Sequence, residues 1–432
     1  KDLKPLPAAD PLVDKCIECG FCEPKCPSRG LTLSPRQRIV GWREIARLEA
    51  DGNDPQRSAE LKRLYDYHGI ETCAACGLCA TACPVGIETG LLIKALRGRR
   101  AGPLARRVAD VAADRYAAVT AGVRIGLGVA DMLHGAIGTT AMKTGLDGLR
   151  KASGGRLPKW SPALARPVHF VPAQRPPSGA ERVVYFPSCA ARNMGPERGR
   201  AGVEMLPTVA ERLLRRGGFD VVYPDALDGL CCGQPFESKG LVAAADRKSA
   251  ELAAALRDAS DGGRWPIVFD TSPCTYRMKK VLGGTLAVHD SIDFVHDTLL
   301  PRLQVAPEPG TVAVHPVCSV RKMGSVDKLL AIARRCSTTV ATVDAVQCCG
   351  FAGERGFVRP ELNEHALRHL KSSLPADCSG GVSSSRTCEI GLSEAAGVPY
   401  ESILYLVERC SAPTPAGCGT SASATSSAMS RD

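Results

Sequence analysis

Two short segments concentrate thiol side chains at a spacing that suits iron–sulfur chemistry. Residues 16–27 read Cys-Ile-Glu-Cys-Gly-Phe-Cys-Glu-Pro-Lys-Cys-Pro, and residues 73–84 read Cys-Ala-Ala-Cys-Gly-Leu-Cys-Ala-Thr-Ala-Cys-Pro. Both follow the pattern C-x2-C-x2-C-x3-C-P, in which three thiolates surround one face of a cubane cluster and the fourth reaches a second cluster. The sequence therefore predicts two [4Fe–4S] clusters that exchange their fourth ligands.

This exchange divides the eight cysteines into two sets. The first cluster is predicted to be held by Cys16, Cys19, Cys22 and Cys83, and the second by Cys73, Cys76, Cys79 and Cys26. Gly20 and Gly77 allow backbone N–H groups to approach the cluster sulfurs, which tunes the reduction potential. Structural zinc is the alternative, but zinc uses four ligands, usually as two separated pairs. The motifs offer no open position for a substrate, so they indicate an electron carrier, and no catalytic residue is assigned.

Eight further cysteines lie in a repeat within the second half of the chain. The order strand, Cys, helix, strand, Cys-Cys-Gly, helix, strand, Cys occurs twice. The cysteines are Cys189, Cys231, Cys232 and Cys274 in the first repeat and Cys318, Cys348, Cys349 and Cys388 in the second. Strands alternating with helices predict parallel sheets, whose sites lie beyond the carboxyl ends of the strands. Each repeat is therefore expected to bring its cysteines into one cleft, as a third or fourth metal site.

The adjacent cysteines of each repeat need a special backbone conformation. In a strand they would point to opposite faces, so both can face one cleft only in a turn, which Gly233 and Gly350 permit. The alternatives are buried small hydrophobic side chains, a vicinal disulfide and a zinc site. The repetition of the whole pattern argues against the first of these.

Hydrophobic periodicity and turn residues predict the elements that position these cysteines. Ser34 and Pro35 predict the start of a helix, and a second helix is expected to end at Gly69. The predicted strands are 183–186, 221–223, 267–269, 312–315, 339–343 and 381–383. The predicted helices of the repeats are 208–216, 241–257, 326–335 and 361–370.

Composition and charge exclude several classes of function. The chain has 432 residues, 20 cysteines and a formal net charge of +10. Clustered cysteines in a long chain favour metal ligation in a reducing compartment over disulfides, and the mild, dispersed basicity does not indicate nucleic-acid binding. No nucleotide-binding glycine motif is present. The most apolar stretch, 116–137, is interrupted by Arg124 and Asp131, so no segment is expected to span a membrane.

A local cluster of arginines allows two interpretations. It comprises Arg97, Arg99, Arg100, Arg106 and Arg107. It is either a solvated connector or a docking patch for an acidic partner or an anionic membrane surface. We expect a cytoplasmic protein, which the docking patch would make peripheral on the inner face of the plasma membrane.

Five regions are predicted along the chain. They are a helical two-cluster domain (1–100), a helical connector with a Pro-rich linker (101–180), repeat one (181–305), repeat two (306–410) and a disordered tail (411–432). Cys410 and Cys418 are expected to have no specific role. His289, His296 and His315 are expected to be structural, and so are Arg321, Lys322 and Arg386, although the latter three could attract an anionic acceptor headgroup. The chain begins with Lys1 and not Met, which suggests a piece of a longer polypeptide or a processed one.

These features resemble known families. The gap of 46 residues between the motifs (73 − 26 − 1) resembles the helical ferredoxin domain of succinate dehydrogenase-type subunits. The repeats resemble the cysteine-rich CCG domains of heterodisulfide reductase and of the iron–sulfur subunits of glycolate oxidase and anaerobic glycerol-3-phosphate dehydrogenase. The fold class is thus α+β or α/β: an all-α ferredoxin domain followed by two α/β CCG domains with short parallel sheets.

In those families the CCG cysteines bind a further [4Fe–4S] cluster. The fullest pattern ends in CxxC, whereas Arg277 and Gly391 stand three residues after Cys274 and Cys388. Each repeat therefore offers four thiols, which suit an ordinary cubane and argue against a non-cubane cluster and disulfide reduction.

Four short segments of the sequence resemble one group in particular, the C-terminal half of bacterial FAD-linked D-lactate dehydrogenases. The matching segments are 26–29, 34–38, 351–357 and 383–391. The resemblance implies that FAD on an upstream domain or a partner oxidises a D-2-hydroxy acid and that electrons leave through this chain to a quinone or cytochrome. A stand-alone iron–sulfur subunit and a heterodisulfide reductase-like thiol enzyme remain the alternatives.

Overall fold

The computed structural model describes residues 7–173, 175–200 and 202–411. It contains a helical N-terminal domain, connecting helices and two units built on parallel sheets. This confirms the predicted combination of helical and α/β parts. The predicted disordered tail, with Cys418, lies outside the described residues apart from residue 411.

The N-terminal domain packs its helices around a small apolar core. Its helices are α1 (Pro35–Asp51), α2 (Pro55–Tyr65), α3 (Leu78–Thr81) and α4 (Thr89–Arg100), with a 3-10 turn at Glu23–Lys25 and a π-helical turn at Asp66–Glu71. The start of α1 is the predicted one, because the Ser34 hydroxyl caps the N–H of Gln37 while the Gln37 side chain accepts from the N–H of Ser34. Ile39 and Ile45 of α1 pack with Leu92 of α4 in the buried core.

The second helix does not end at Gly69 as predicted. It ends at Tyr65 and continues into the π-helical turn that contains Gly69. A Cβ at Gly69 would lie 2.7 Å from the ring of Tyr65, so this glycine makes room for a buried ring and does not terminate the helix. The Tyr65 hydroxyl donates to the carbonyl of Arg38 and joins the turn to α1.

The connector consists of two helices and a short strand. These are α5 (Pro103–Asp114), α6 (Tyr116–Ala152) and β1 (Ala165–Pro167). Gly138, at φ 78° and ψ 168°, kinks α6. By length and composition α6 could cross a bilayer, which the sequence analysis did not expect. However, Tyr116, Thr120, Leu127 and Met142 of this helix are buried, so one side of α6 packs on the protein along much of its length.

The first α/β unit is a parallel sheet of four strands in the order β4-β2-β5-β6. Its strands are β2 (Glu181–Phe186), β4 (Phe219–Val222), β5 (Ile267–Phe269) and β6 (Val288–Asp290), and β3 (Met194–Glu197) pairs with β1 outside the sheet. Its helices are α7 (Cys189–Asn193), α8 (Leu206–Arg216), α9 (Gln234–Glu237), α10 (Val242–Ala259), α11 (Ser272–Leu282) and α12 (Ser291–Phe294), with helical turns at Leu227–Gly229, Val295–Leu299 and Leu300–Arg302.

The second unit has a parallel sheet in the order β10-β9-β7-β8. Its strands are β7 (Glu308–Val314), β8 (Ser337–Thr342), β9 (Cys378–Ser383) and β10 (Tyr400–Ser402). Its helices are α13 (Cys318–Met323), α14 (Val326–Cys336), α15 (Arg355–Val358), α16 (Pro360–Leu367), α17 (Leu370–Ser373), α18 (Arg386–Ala396) and α19 (Ile403–Cys410).

The two sheets have the same strand order, since β2, β4, β5 and β6 correspond to β7, β8, β9 and β10. The sequence analysis missed the fourth strand of each sheet. Both missed strands are three residues long. Strand β6 contains His289 and Asp290, and β10 contains Glu401, so neither strand shows a hydrophobic pattern. The predicted helix 361–370 is divided between α16 and α17.

The units meet at the carboxyl ends of equivalent strands, β5 and β9. Ser272 donates its N–H to the carbonyl of Ser384 at 3.1 Å, and the two hydroxyls are 2.7 Å apart. One hydrophobic core also contains residues of both units, among them Leu299 and Ile332. The strand ends that carry the cysteines therefore face a shared central region.

Candidate iron–sulfur centres

The eight cysteines of the N-terminal domain surround two cavities. One is lined by Cys16, Cys19, Cys22 and Cys83. The other is lined by Cys26, Cys73, Cys76 and Cys79. The fold thus groups the thiols in the two exchanged sets that the sequence assigned, while cluster ligation by these sets stays a prediction.

Matching backbone conformations bend the two motif loops. Glu18 and Gly20 have φ values of 59° and 83° in the first loop, and Ala75 and Gly77 have 47° and 77° in the second. Left-handed residues at these positions turn the chain sharply between successive cysteines. The Ala75 N–H lies 3.3 Å from the Cys73 sulfur, as expected of a loop whose amides approach cluster sulfurs.

Burial makes these thiols costly to ionise without a compensating positive charge. It raises the pKa of Cys22 to about 11 and that of Cys79 to about 12. Among the described residues, no group of three or more His, Cys, Asp or Glu side chains is arranged to hold a single metal ion. Four sulfur donors around a cavity fit a multinuclear cluster, whose iron would compensate the thiolate charge.

Arg38 is a buried cation beside the second cavity. It lies in the segment 34–38 considered in the sequence analysis, which gave it no role. Its Nη1 lies 3.7 Å from the Cys26 sulfur, and its Nε donates to the Gly69 carbonyl at 2.7 Å. Burial lowers its pKa, but the negative charges of Cys73 and Cys26 outweigh burial and leave the pKa raised. Arg38 therefore stays charged next to the thiolates that would hold a cluster. Its burial was not readable from α1 alone, because Arg36 on the same helix is 41% exposed.

The Cys-Cys-Gly segments adopt the turn that the sequence required. Gly233 and Gly350 have φ values of 82° and 70°, and a Cβ would lie 2.3 Å from the carbonyl of Ala245 or 2.7 Å from that of Leu362. In each turn the glycine N–H lies 3.4 Å from the sulfur of the first cysteine of the pair. Both conformation and space exclude a side chain at these two positions.

Each unit gathers its four predicted cysteines at the carboxyl ends of its strands. In the first unit the Cys232 and Cys274 sulfurs are 3.3 Å apart, and Cys189 hydrogen-bonds Cys231. In the second unit the Cys349 and Cys388 sulfurs are 3.0 Å apart, and Cys318 hydrogen-bonds Cys348. All cysteines of the described residues are free thiols. The adjacent cysteines Cys231 and Cys232, and likewise Cys348 and Cys349, therefore form no vicinal disulfide in this structure.

We call the four cysteines of each unit its quartet. Tyr116, at the start of α6, lies beside the quartet of the first unit, although the sequence analysis did not single it out. Its buried hydroxyl hydrogen-bonds the thiols of Cys189 and Cys231, and burial together with their charge raises the pKa of Tyr116. It therefore stays protonated and can donate to thiolate sulfur. Only the tertiary fold brings this residue, more than 70 positions away in sequence, to the site.

Polar side chains stand where the fullest CCG pattern has a further cysteine. Arg277 donates from Nε to the Cys232 carbonyl at 2.6 Å and pairs with Glu237. In the second unit, a Cβ at Gly391 would lie 2.6 Å from Asn363, whose Nδ2 donates to the Cys349 carbonyl at 2.7 Å. The second cysteine of each pair is thus held by an amide or guanidinium donor, and the space for a fifth thiol is filled.

The second cavity of the N-terminal domain adjoins the quartet of the second unit. Cys76 and Cys348 lie near each other, and this proximity together with burial raises the pKa of Cys76. Lys322 is largely buried beside them and pairs with Glu88 at 4.0 Å. The nearby Cys348 thiol and the charge of Lys322 lower the pKa of Cys318 to about 7. Lys25, next to Cys26, donates to the Gln347 side chain at 3.2 Å. Thiols of two predicted centres are therefore neighbours.

The N-terminal domain also docks on the first unit. Lys94 of α4 pairs with Glu237 at 2.7 Å, and Arg97 donates to the carbonyls of Ser238 and Cys73. A Cβ at Gly98 would lie 2.5 Å from the Gly240 carbonyl, so the two backbones approach closely.

These contacts correct part of the connector interpretation of the arginine cluster. Arg97 is buried, Arg99 pairs with Asp10, and Arg100 pairs with Asp66. Arg97 is thus the buried exception, while Arg99, Arg100, Arg106 and Arg107 are exposed as the connector interpretation expects.

The other side chains considered in the sequence lie in structural surroundings. His296 pairs with Asp297, and half-buried His289 packs against Phe294. His315 is buried, which lowers its pKa to about 3 and leaves the ring neutral. Arg321 and Arg386 donate to the backbone carbonyls of Pro316 and Gly195. Cys410 hydrogen-bonds buried Cys336, away from both quartets.

Two segments of the chain match models of known protein families. Residues 12–87 match the family described as 4Fe-4S dicluster domain, and residues 183–279 match the family described as cysteine-rich domain. The chain therefore contains an iron–sulfur dicluster domain and a CCG-type domain. The second match covers most of the first α/β unit. The second unit has an equal strand order and cysteine placement, and its identity as a second CCG domain stays a prediction.

Curated relatives match parts of the chain. A subunit of dihydromethanophenazine:CoB–CoM heterodisulfide reductase from Methanosarcina barkeri is 35% identical over 97 residues, 20% of this chain and 23% of the relative. A subunit of anaerobic glycerol-3-phosphate dehydrogenase from Escherichia coli K12 is 24% identical over 212 residues, 46% of this chain and 51% of the relative. Lactate utilization protein A from Bacillus cereus is 28% identical over 208 residues, 45% of this chain and 82% of the relative.

The chain thus matches about a quarter of the reductase subunit and about half of the dehydrogenase subunit. Both relatives are named as subunits of oxidoreductases, which supports a redox role for this chain.

Proposed function

We propose that this chain is the iron–sulfur electron-transfer part of an FAD-linked D-lactate or D-2-hydroxy acid dehydrogenase. Electrons would pass from FAD, on an upstream domain or a partner, through two [4Fe–4S] clusters and the CCG sites to a quinone or cytochrome. The D-lactate assignment rests on the resemblance of the segments given above. The match to a lactate utilization protein supports it.

The observation that carries the proposal is the close approach of the dicluster domain to the second unit near Cys76 and Cys348, where Lys25 donates to Gln347 at 3.2 Å. An electron carrier needs successive centres at short distance, and this junction brings thiols of the two parts near each other. Bound [4Fe–4S] clusters would supply one-electron carriers at these positions. The residues of this chain hold the thiols close together and keep Arg38 and Lys322 charged beside them.

The experiment is anaerobic purification, quantification of iron and sulfide, and EPR spectroscopy of the dithionite-reduced protein. About eight irons per chain with a spectrum of two interacting clusters would support the dicluster part and leave the CCG quartets as thiol sites. About twelve to sixteen irons would mean that the quartets also hold clusters. Stoichiometric zinc without an EPR signal would contradict the proposal.

A stand-alone subunit of a glycolate oxidase or glycerol-3-phosphate dehydrogenase complex is the second candidate. The match to the Escherichia coli dehydrogenase subunit favours it. The two candidates differ in the position of the flavin domain, which lies either in the same open reading frame or in a separate one. Anaerobic reduction of the clusters in the complete complex by D-lactate, glycolate or glycerol 3-phosphate then identifies the donor.

A thiol enzyme like heterodisulfide reductase is disfavoured by Arg277 and Gly391, which stand where an additional cysteine would complete the fuller CCG pattern. Asn363 occupies the space that a side chain at position 391 would need.

A further inference from the structure

The outward side of helix α6 is an apolar surface without charge. We call it the outer face of α6, formed by Val123, Ile125, Val129, Met132, Leu133 and Ile137. Ile125 and Met132 are 68% and 69% exposed, so most of each side chain is in contact with solvent. A contiguous exposed apolar surface of this kind marks an interaction site.

The charged residues within this stretch all turn toward the protein. Between Arg115 and Lys143 the sequence holds two of them, Arg124 and Asp131. Arg124 donates to the Asn193 side chain at 2.6 Å, and Asp131 pairs with Arg198 at 2.9 Å. The charges therefore anchor α6 on the protein and leave only apolar and small residues outside.

Positive charge flanks the outer face at both ends. Arg106, Arg107 and Arg115 precede it, and Lys143 and Lys151 follow it. None of these five residues forms an ion pair within the part of the chain that the structure describes. The neighbouring acidic residues Asp110 and Asp114 are instead neutralised by Arg247. An apolar strip between unpaired cations is complementary to a negatively charged bilayer surface.

We propose that the outer face of α6 lies in the headgroup region of an anionic membrane. The helix would lie in the plane of the membrane and would not span it, because its inner side stays packed through Tyr116, Thr120 and Leu127. A protein partner is the less fitting occupant, since protein interfaces are enriched in aromatic residues and Met, and of these the outer face presents Met132 alone. The proposal involves no cysteine and is independent of the proposed electron-transfer function.

The test is sedimentation of the full chain with vesicles of about 30% phosphatidylglycerol and about 70% phosphatidylcholine, a composition that gives a negative surface potential. We expect the wild-type chain to bind these vesicles and to bind pure phosphatidylcholine much more weakly. The double variant Ile125→Glu/Met132→Glu should lose at least about tenfold in binding, because it places two carboxylates in the apolar strip. Val281→Glu, which makes the same change at an exposed residue of α11, is the matched control and should bind as the wild type does.

Charge is tested separately. Arg107→Gln and Lys143→Gln should each weaken binding to the anionic vesicles roughly fivefold, and added salt should act in the same direction. Unchanged iron content and melting temperature show that each variant is folded.

A third measurement reports insertion directly. The fluorescence of Met132→Trp should shift to shorter wavelength when anionic vesicles are added. Absence of binding by the wild-type chain, or equal binding by Ile125→Glu/Met132→Glu, would overturn the proposal. It would also be overturned if the double variant changed only the oligomeric state measured by light scattering, since the outer face would then be a contact between copies of this chain.

Discussion

At the scale of residues, the chemistry of the chain lies in thiols whose ionisation is opposed by burial. The pKa of Cys22 and that of Cys79 are raised by burial, while fixed cations such as Arg38 lie beside the sulfurs. Such thiols become good ligands only when a positively charged group replaces their protons. The structure therefore favours metal-bound thiolates over free reactive cysteines.

The exchanged ligand sets make a specific prediction. Cys16→Ala and Cys83→Ala should give the same EPR spectrum, because both remove a ligand from the first cavity. Cys26→Ala and Cys73→Ala should give a second spectrum in common, and each variant should lose about four irons.

The matched control is Cys378→Ala. Cys378 is buried, hydrogen-bonds the Gly380 carbonyl and lies in neither cavity and neither quartet. Its iron content and spectrum should equal those of the wild type. If Cys83→Ala instead matched Cys73→Ala, the ligands would not be exchanged.

At the scale of elements, close backbone contacts decide where the dicluster domain sits. Helix α4 meets the segment after α9 at Gly98 and Gly240. Lys94 of the same helix binds Glu237, the last residue of α9, and Arg97 binds the carbonyl of Ser238. Glycine is disfavoured inside a helix, so its presence at Gly98 is explained by this approach.

The contact predicts opposite effects of the same substitution at two helical glycines. Gly98→Ala should destabilise the protein by about 1–3 kcal/mol, because its Cβ would lie 2.5 Å from the Gly240 carbonyl. Gly145→Ala on α6 has no neighbour within 4 Å and should stabilise it by up to about 1 kcal/mol.

Thermal unfolding measures both variants, and hydrogen exchange of α4 locates the change. Equal shifts in melting temperature would show that helix propensity, and not the contact with Gly240, determines the effect at Gly98.

At the scale of the whole molecule, the dicluster domain docks on both α/β units. Lys94 and Arg97 contact the first unit, while Cys76 and Lys25 contact the second. Together with the Ser272–Ser384 contact between the units, this places the predicted centres in one connected region.

This arrangement predicts a magnetic interaction between a cluster in the second cavity of the dicluster domain, near Cys76, and a cluster in the second unit, near Cys348. If the four cysteines of the second unit hold a cluster, this cluster should split the EPR signal of the reduced dicluster domain. Cys348→Ser should remove that splitting, and about eight irons should remain in the dicluster domain. Cys231→Ser is the matched control in the first unit and should leave that splitting in place. Loss of the splitting in both variants, or in neither, would contradict the arrangement.

Local spacing along the chain was enough to predict which thiols lie around each cavity of the N-terminal domain. The two C-x2-C-x2-C-x3-C-P motifs predict these sets because the spacing within a short loop is a local property, and cluster ligation by them stays a prediction. The Ser34 cap and the Cys-Cys-Gly turns were predictable for the same reason. The predicted helix end at Gly69 was wrong, because a glycine after a helical pattern can either end the helix or make room for an aromatic ring. Only the position of the Tyr65 ring in the folded chain distinguishes the two roles.

The surroundings of the thiols, in contrast, became visible only in the folded chain. Tyr116, Arg38 and Lys322 reach the centres through contacts between distant segments, which no spacing along the chain records. The outer face of α6 is a further case, because hydrophobicity is readable from sequence but exposure is not. The burial of some charged residues and the exposure of apolar ones depend on which elements pack together, and this is a property of the whole fold.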